Sequence, residues 1–212
     1  MLRDIQLRYA PTLLILLFWV MFSLTTLAQA APRIGQAAPD FVGVDTNGNA
    51  HRLDDFQGQT VVLEWTNHDC PFVQKHYESG NMQTQQRRAQ NDHGVVWLTV
   101  ISSSPGTQGH VSPDKANALT ESRDASPTAV ILDEDGTIGR AYDARVTPHM
   151  YIIDEQGTLI YMGGIDSNPS ADPADIPDAT QYVIQALNEK AADEPISEPI
   201  TRPYGCSIKY AD

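Results

Sequence analysis

Basic residues are scarce in this chain. Its 212 residues include 14 Lys and Arg against 27 Asp and Glu, a formal net charge of −13. Phosphate backbones are held by clustered Lys and Arg, so a nucleic-acid role is excluded. An anionic membrane surface would repel the chain for the same reason. Cysteine is rarer still, with only Cys70 and Cys206. Two are too few for a disulfide-framework miniprotein or a four-cysteine zinc site, and the right number for one bond. No Gly-x-Gly-x-x-Gly run occurs, so nothing points to a nicotinamide or flavin site, and no cofactor is expected. With 41% hydrophobic and 19% charged residues, the chain is of ordinary globular composition, long enough for one domain plus extensions.

The one long apolar run lies at the start. Arg3 and Arg8 flank Asp4, no charge falls between Tyr9 and Pro32, and PTLLILLFWVMFSLTTL ends in Ala28-Gln29-Ala30. A basic stretch, an apolar stretch and a small-x-small ending make residues 1–30 a signal peptide cleaved after Ala30. Left uncleaved, the run is long enough to anchor the chain in a membrane. Either way the domain is exported, to a periplasmic or extracellular compartment. Cysteines pair in such an oxidising place unless something keeps them reduced.

From Ala31 to about Asp166, within an expected domain over residues 31–190, apolar runs alternate with amphipathic stretches. Val61–Trp65, Val95–Ile101, Thr128–Leu132 and His149–Ile153 read as buried strands. A helix is expected from Pro71 to about Gln90, with Gly94 just past its end, and another opens at Ser112-Pro113. Asp154-Glu155-Gln156-Gly157 is a hairpin signal leading into Thr158–Met162. Strands separated by helices imply a single α/β domain with a β-α-β core, to which the hairpin adds antiparallel strands. The Asp/Pro/Ser stretch over 166–178 reads as a solvated connector, followed by a helix over about 174–190. Residues 191–212 form a tail broken by Pro195, Pro199 and Pro203, which rule out a helix there. Its end, Arg202-Pro203-Tyr204-Gly205-Cys206-Ser207-Ile208-Lys209-Tyr210, is too aromatic and apolar for a free end and is expected to dock on the domain.

Cys70 stands where the strand Val61–Trp65 gives way to a helix. Free N–H groups and the helix dipole favour a thiolate at such a junction, and the thiolate is the nucleophilic form. His68, when protonated, would add to this effect, and Asp69 would oppose it. The cysteine available to close a bond with Cys70 is Cys206, within the chain or across a dimer.

Cys70-Pro71-Phe72-Val73 resembles the Cys-x-x-Cys motif of the thioredoxin fold, with Val73 in place of the second cysteine. Glu64 falls where thioredoxins keep a buried acid that moves protons. Val146-Thr147-Pro148 resembles the loop whose cis-proline packs against the reactive sulfur. With Ala38-Pro39-Asp40-Phe41 and Pro203-Tyr204-Gly205-Cys206-Ser207, the text is similar to exported redoxins of the alkyl hydroperoxide reductase/thiol-specific antioxidant group. The resemblance covers about 32–165 plus the tail. It implies a single thioredoxin-like domain, a central mixed sheet flanked by helices, with an N-terminal β extension and a C-terminal tail. Two departures stand out. Asn67 occupies the place of the peroxidatic hydroxyl, Thr66 carrying its hydroxyl one residue out, so the peroxide-activating loop is not intact. Val73 excludes a two-thiol cycle within the helix.

The expected function is thiol-based redox chemistry, either thiol–disulfide exchange or peroxide reduction. Cys70 is the nucleophile, Cys206 its partner, Glu64 the proton carrier and Pro148 the positioning residue. Asn67, His68, Pro71, Thr147 and His149 are expected to line the site. His76 and Tyr77 are expected at its mouth, and Arg145 is a candidate cation near the sulfur. The substrate would be a protein disulfide or thiol, or a peroxide, and the electron donor a thioredoxin-like protein. The alternative is a non-catalytic module stapled by a structural Cys70–Cys206 bond, with a metal conceivable among Cys70, His68, His76 and His149. A loop that long stabilises a fold by about 5 kcal/mol in the chain-entropy model.

Overall fold

A computed structural model describes residues 31–211. The signal segment expected over residues 1–30 lies outside the described residues. Seven strands form the main sheet: β1 (Val42–Asp45), β2 (Ala50–Arg52), β3 (Val61–Trp65), β4 (Val96–Ile101), β5 (Ala129–Leu132), β7 (His149–Ile153) and β8 (Leu159–Gly163). Their order is β2-β1-β5-β4-β3-β7-β8. β3 and β5 run parallel to β4, whereas β7 pairs antiparallel with β3, and the β1–β2 hairpin is the N-terminal extension. The sheet is therefore mixed. β3 and β4 are buried along their whole length, which is why they read as continuous apolar runs rather than alternating ones.

Side chains of β3 still alternate between two cores. Val62 faces a layer with Val73, Met82, Trp97, Ile152 and Leu187, and Leu63 and Trp65 face a layer with Leu98, Ile131, Tyr142 and Tyr151. Glu64 shares the face of Val62, so a carboxyl is placed inside the first core with no exposure to solvent.

The expected helix from Pro71 is two helices. α1 (Pro71–Glu78) ends at Ser79, and α2 (Asn81–His93) starts after Gly80, whose φ of 76° turns the chain sharply. Gly94 (φ 63°) ends α2 in the left-handed conformation that glycine tolerates best. α3 (Pro113–Ser122) opens as its sequence suggests, with the Ser112 side chain accepting from Lys115 N–H. After the short α4 (Thr137–Ala141) comes α5 (Tyr182–Ala191), shorter than the 174–190 stretch suggests, because Pro173 and Pro177 confine the preceding turn to a 3₁₀-helix over Pro173–Asp178. The connector reading of 166–178 also needs correction at its first residue, for Asp166 is 1% exposed.

The tail follows the domain surface closely. Met162 N–H donates to Pro199 O at 3.0 Å and Thr201 N–H to Met162 O at 3.2 Å. Further on, β6 (Val146–Thr147) and β9 (Cys206–Ser207) form a two-stranded antiparallel ribbon. Beyond β9, Ile208 N–H reaches Arg145 O at 2.9 Å and the Tyr210 hydroxyl reaches Ala144 O at 2.7 Å. Tyr210 lies so close to α4 that a Cβ at Gly139 would stand 2.3 Å from its hydroxyl.

Two imidazoles are buried with this core. His76 is fully buried and His149 is 6% exposed, and burial first of all pushes each down to about 4 from the usual 6.5. Between those values the unfolded chain binds the proton and the fold does not, so each imidazole costs stability as pH falls through that window. Glu64 and Asp133, whose carboxyls are raised chiefly by burial, act in the opposite sense, so the clean quantity is a difference between variants. The unfolding free energy of the wild type minus that of His149→Gln is expected to shrink by about 3 kcal/mol from pH 7 to pH 4. Urea unfolding at both pH values measures it, and a difference constant with pH would contradict a neutral buried His149.

Candidate active site: two cysteines at Thr147

Cys70 is the N-cap of α1, with Pro71 at the first helical position, where the missing N–H costs nothing. Its side chain has no exposed surface. The Cys70 thiol donates to the Thr147 carbonyl across 3.2 Å. Thr147 is joined to Pro148 by a cis peptide bond and is itself 2% exposed. In the β6–β9 ribbon Thr147 stands opposite Cys206. One residue thus touches both cysteines, Cys70 through its carbonyl and Cys206 through strand pairing.

Both cysteines are free thiols, Cys70 buried and Cys206 partly exposed. The Cys206 thiol is pushed up to about 12, first by burial and then by the hydrogen bond and charge of Cys70 beside it, with Lys209 acting weakly the other way. Gly205 makes the approach possible. Its φ is 132°, and a Cβ there would lie 1.9 Å from the Thr147 carbonyl oxygen. A groove lined by Val146, Tyr182, Arg202, Pro203 and Gly205 runs beside the ribbon.

Glu64 sits deeper. Its carboxylate accepts from the Tyr77 hydroxyl at 2.7 Å, Trp97 Nε1–H at 2.9 Å, the Thr99 hydroxyl at 3.1 Å and the Gln86 amide at 3.3 Å. Burial raises its pKa, and these four donors oppose that shift without cancelling it. None of the four is a cysteine. The connection to Cys70 runs through α1, which carries both Cys70 and Tyr77. Tyr77 and Thr99 also line a cleft with Thr66, His68 and Arg123, and the buried Thr66 hydroxyl there has no hydrogen-bond partner among the described residues.

The remaining expected residues divide. Asn67 braces the loop, its Oδ1 accepting Asp69 N–H at 2.9 Å and its amide donating to Gln108 O at 3.3 Å. His68 pairs with Asp69 at 3.2 Å, and burial more than any charge lowers its pKa. His149 Nδ1 lies 3.1 Å from the Tyr151 hydroxyl, on the strand that follows Pro148. Arg145 is 72% exposed and paired with Asp143, so it is a surface ion pair and not a cation at the sulfur. His76 and Tyr77 are buried rather than at a mouth. Among the described residues no three His, Cys, Asp or Glu side chains are grouped as metal ligands.

A cluster absent from the sequence reading lies behind α1. Lys75 Nζ is 3.3 Å from Asp166 Oδ2, the Tyr204 hydroxyl donates to Asp166 Oδ1, and His76 Nε2 is 3.1 Å from the Tyr204 oxygen. Lys75 looks like an exposed helix residue until the fold brings Asp166 to it. The aromatic tail hints at Tyr204 but not at its partner.

A model of the AhpC/TSA family matches residues 34–162, a span that includes Glu64, Cys70, Thr147 and Pro148 but not Cys206. The thiol-disulfide oxidoreductase ResA of Geobacillus kaustophilus (strain HTA426) is 26% identical over 138 residues, 62% of this chain and 69% of the relative. Among solved structures, an uncharacterized conserved protein from Geobacillus kaustophilus has a TM-score of 0.71 at 24% identity, over 84% of this chain and 93% of that one. A hypothetical protein from Sinorhizobium meliloti 1021 has a TM-score of 0.72 at 20% identity, over 86% and 97%. A putative protein disulfide isomerase from Bacteroides thetaiotaomicron has a TM-score of 0.53 at 18% identity, over 79% and 92%. The fold is thioredoxin-like, and since the family model spans more than half of the sequence, the chain belongs to the AhpC/TSA family.

Proposed function

We propose that this chain is an exported thiol–disulfide oxidoreductase that cycles Cys70 and Cys206 between two thiols and one disulfide. The observation that carries the reading is the shared contact with Thr147, which holds two otherwise distant cysteines together while both are still thiols. The similarity to a thiol-disulfide oxidoreductase supports the reaction class. The signal-peptide pattern read in the sequence of residues 1–30 supports an oxidising setting.

The reductive half-cycle balances as two displacements. The Cys70 thiolate attacks one sulfur of a partner disulfide, breaking that bond and releasing one partner thiolate. The Cys206 thiolate then attacks Cys70 Sγ, expels the second partner thiolate and leaves the Cys70–Cys206 bond. Two electrons pass to the partner, and a thioredoxin-like thiol donor restores the pair. Cys206 is hard to ionise while Cys70 is a free neighbour, because the Cys70 hydrogen bond and charge add to burial. Once Cys70 is tied up in a mixed disulfide those two contributions vanish, so Cys206 becomes a better nucleophile when it is needed. Glu64 is the proton carrier in this reading, its carboxylate held by the Tyr77 hydroxyl on the helix that Cys70 caps.

A peroxide is the second substrate reading, favoured by the complete burial of Cys70, which a small oxidant reaches more easily than a protein disulfide. In that case Cys70 becomes a sulfenic acid with release of an alcohol or water. Cys206 then condenses with it, releasing water. Asn67 and the outward-facing Arg145 offer no help to that step.

Thiol trapping tests the cycle. The reduced protein is exposed to glutathione disulfide or to hydrogen peroxide, quenched in acid, alkylated and mapped by mass spectrometry. The Cys70–Cys206 bond is expected to form with oxidant and to open again under mild dithiol. A bond indifferent to mild reductant would favour the stapled non-catalytic module, and a bond that never forms would contradict both readings. Glu64→Gln is expected to slow turnover roughly a hundredfold and to abolish the rise of rate with pH through the raised Glu64 pKa. An unchanged pH–rate profile would remove Glu64 from the mechanism.

A further inference from the structure

Tyr204 stands two residues before Cys206, and its ring is 9% exposed. Its hydroxyl donates to Asp166 Oδ1. The other carboxylate oxygen, Oδ2, faces Lys75 Nζ at 3.3 Å and His76 Nε2 at 3.9 Å. Lys75 Nζ also donates to Asn168 O at 3.1 Å. The Asn81 amide donates to His76 Nδ1 at 2.8 Å, so the imidazole proton is on Nε2 and points at the Tyr204 oxygen. A one-way chain results, from His76 to Tyr204 to Asp166, with Lys75 as counter-ion. Phe72 adds an edge-on contact to the Tyr204 ring, with centroids 5.8 Å apart.

Such a cluster is an odd choice for packing alone. Lys75 and Asp166 are each 1% exposed, and desolvating two charges offsets most of what their attraction gains. An apolar set of similar volume would bury the tail as well. What the charges add is direction: Asp166 Oδ1 accepts the Tyr204 hydroxyl beside Asn168 N–H at 3.1 Å, a directional bond that an apolar side chain in place of Tyr204 could not make. The cluster is also carried by α1, the helix that has Cys70 as its N-cap. Between Tyr204 and Cys206 there is little slack, since Gly205 is pressed against the Thr147 carbonyl.

We infer that Lys75, His76, Asp166 and Tyr204 form a lock that positions Cys206 against Cys70 and thereby sets how readily the pair closes. The inference rests on the redox-pair reading above. None of the four residues touches a reacting sulfur in this account; all are positioning residues acting through the tail. With the lock made, the Cys206 thiol is presented to Cys70 at high effective concentration, and the closing of a long loop is largely accomplished before the bond forms. With the lock broken, the reduced tail lifts more often, while the oxidised tail stays tethered by its bond. The disulfide is then less favoured and Cys70 becomes reachable.

Tyr204→Phe keeps the ring and removes only the hydroxyl, and Asp166→Asn keeps the shape and removes the charge. Tyr142→Phe deletes another buried hydroxyl, one that donates to Pro39 O at 2.7 Å away from the tail, and serves as the control. Full-length proteins are equilibrated in graded glutathione redox buffers, and the fraction of Cys70–Cys206 bond is mapped. Tyr204→Phe and Asp166→Asn are expected to lower the closing constant about tenfold, a rise of about 30 mV in the two-electron potential, with Tyr142→Phe unshifted. Labelling of Cys70 by a bulky maleimide in the reduced state should rise by a similar factor. A potential and a labelling rate equal to wild type in both lock variants, or the same shift in Tyr142→Phe, would overturn the lock. A wild type that forms no Cys70–Cys206 bond in any buffer would instead overturn the redox-pair reading beneath it.

Discussion

Thr147 is where this molecule brings its chemistry together. Its carbonyl accepts the Cys70 thiol, and its backbone pairs with Cys206. Both contacts depend on chain direction. β7 runs antiparallel beside β3, so the residues that precede β7 lie next to the point where β3 ends and α1 begins. β9 then adds to β6 as a short ribbon outside the main sheet. The tail completes the site, where a Cys-x-x-Cys helix would have supplied its own second thiol.

That arrangement separates two requirements that a Cys-x-x-Cys motif combines. The reactive thiol needs a helix start and shelter from solvent, and α1 gives Cys70 both. The second thiol needs only to be brought there, and a docked tail does this with separate anchors. Thr201 Oγ1 meets the Tyr161 hydroxyl at 2.6 Å, Tyr204 enters the buried cluster with Asp166, and Tyr210 closes over α4. The anchors hold the tail at several points along its length, and the Tyr204 contact is the one nearest Cys206 in the chain. The cost is that Cys70 is covered while the tail is down, which ties access to tail docking.

Much of this was legible in the sequence, and the parts that were not share a cause. The buried strands, the Cys70 helix start and the docking tail follow from local signals of apolar runs, caps and turn residues, whereas the Thr147-Pro148 loop was legible only through the resemblance to the thioredoxin fold. The split of the first helix turns on Gly80 alone, a residue that a helix pattern tolerates in other settings. Asp166 opens a stretch that looks solvated because most residues after it are polar or proline, and only its long-range partner Lys75 shows that it is buried. His76 is hidden because the face of α1 that carries it packs against Tyr204 and Asp166, and Arg145, just before β6, turns outward to pair with Asp143. Long-range polar pairing is what a single sequence cannot display, since nothing in the spacing of Lys75, Asp166 and Tyr204 ties them together.

The central claim is that the reduced chain holds its two thiols side by side before any bond forms. Phenylarsine oxide tests it, because a stable adduct that resists excess monothiol needs two sulfurs within reach of one arsenic atom. Native mass spectrometry of the reduced full-length protein should show one arsenical per chain, lost entirely in Cys70→Ser and in Cys206→Ser. No resistant adduct, or one that only links two chains, would contradict the account.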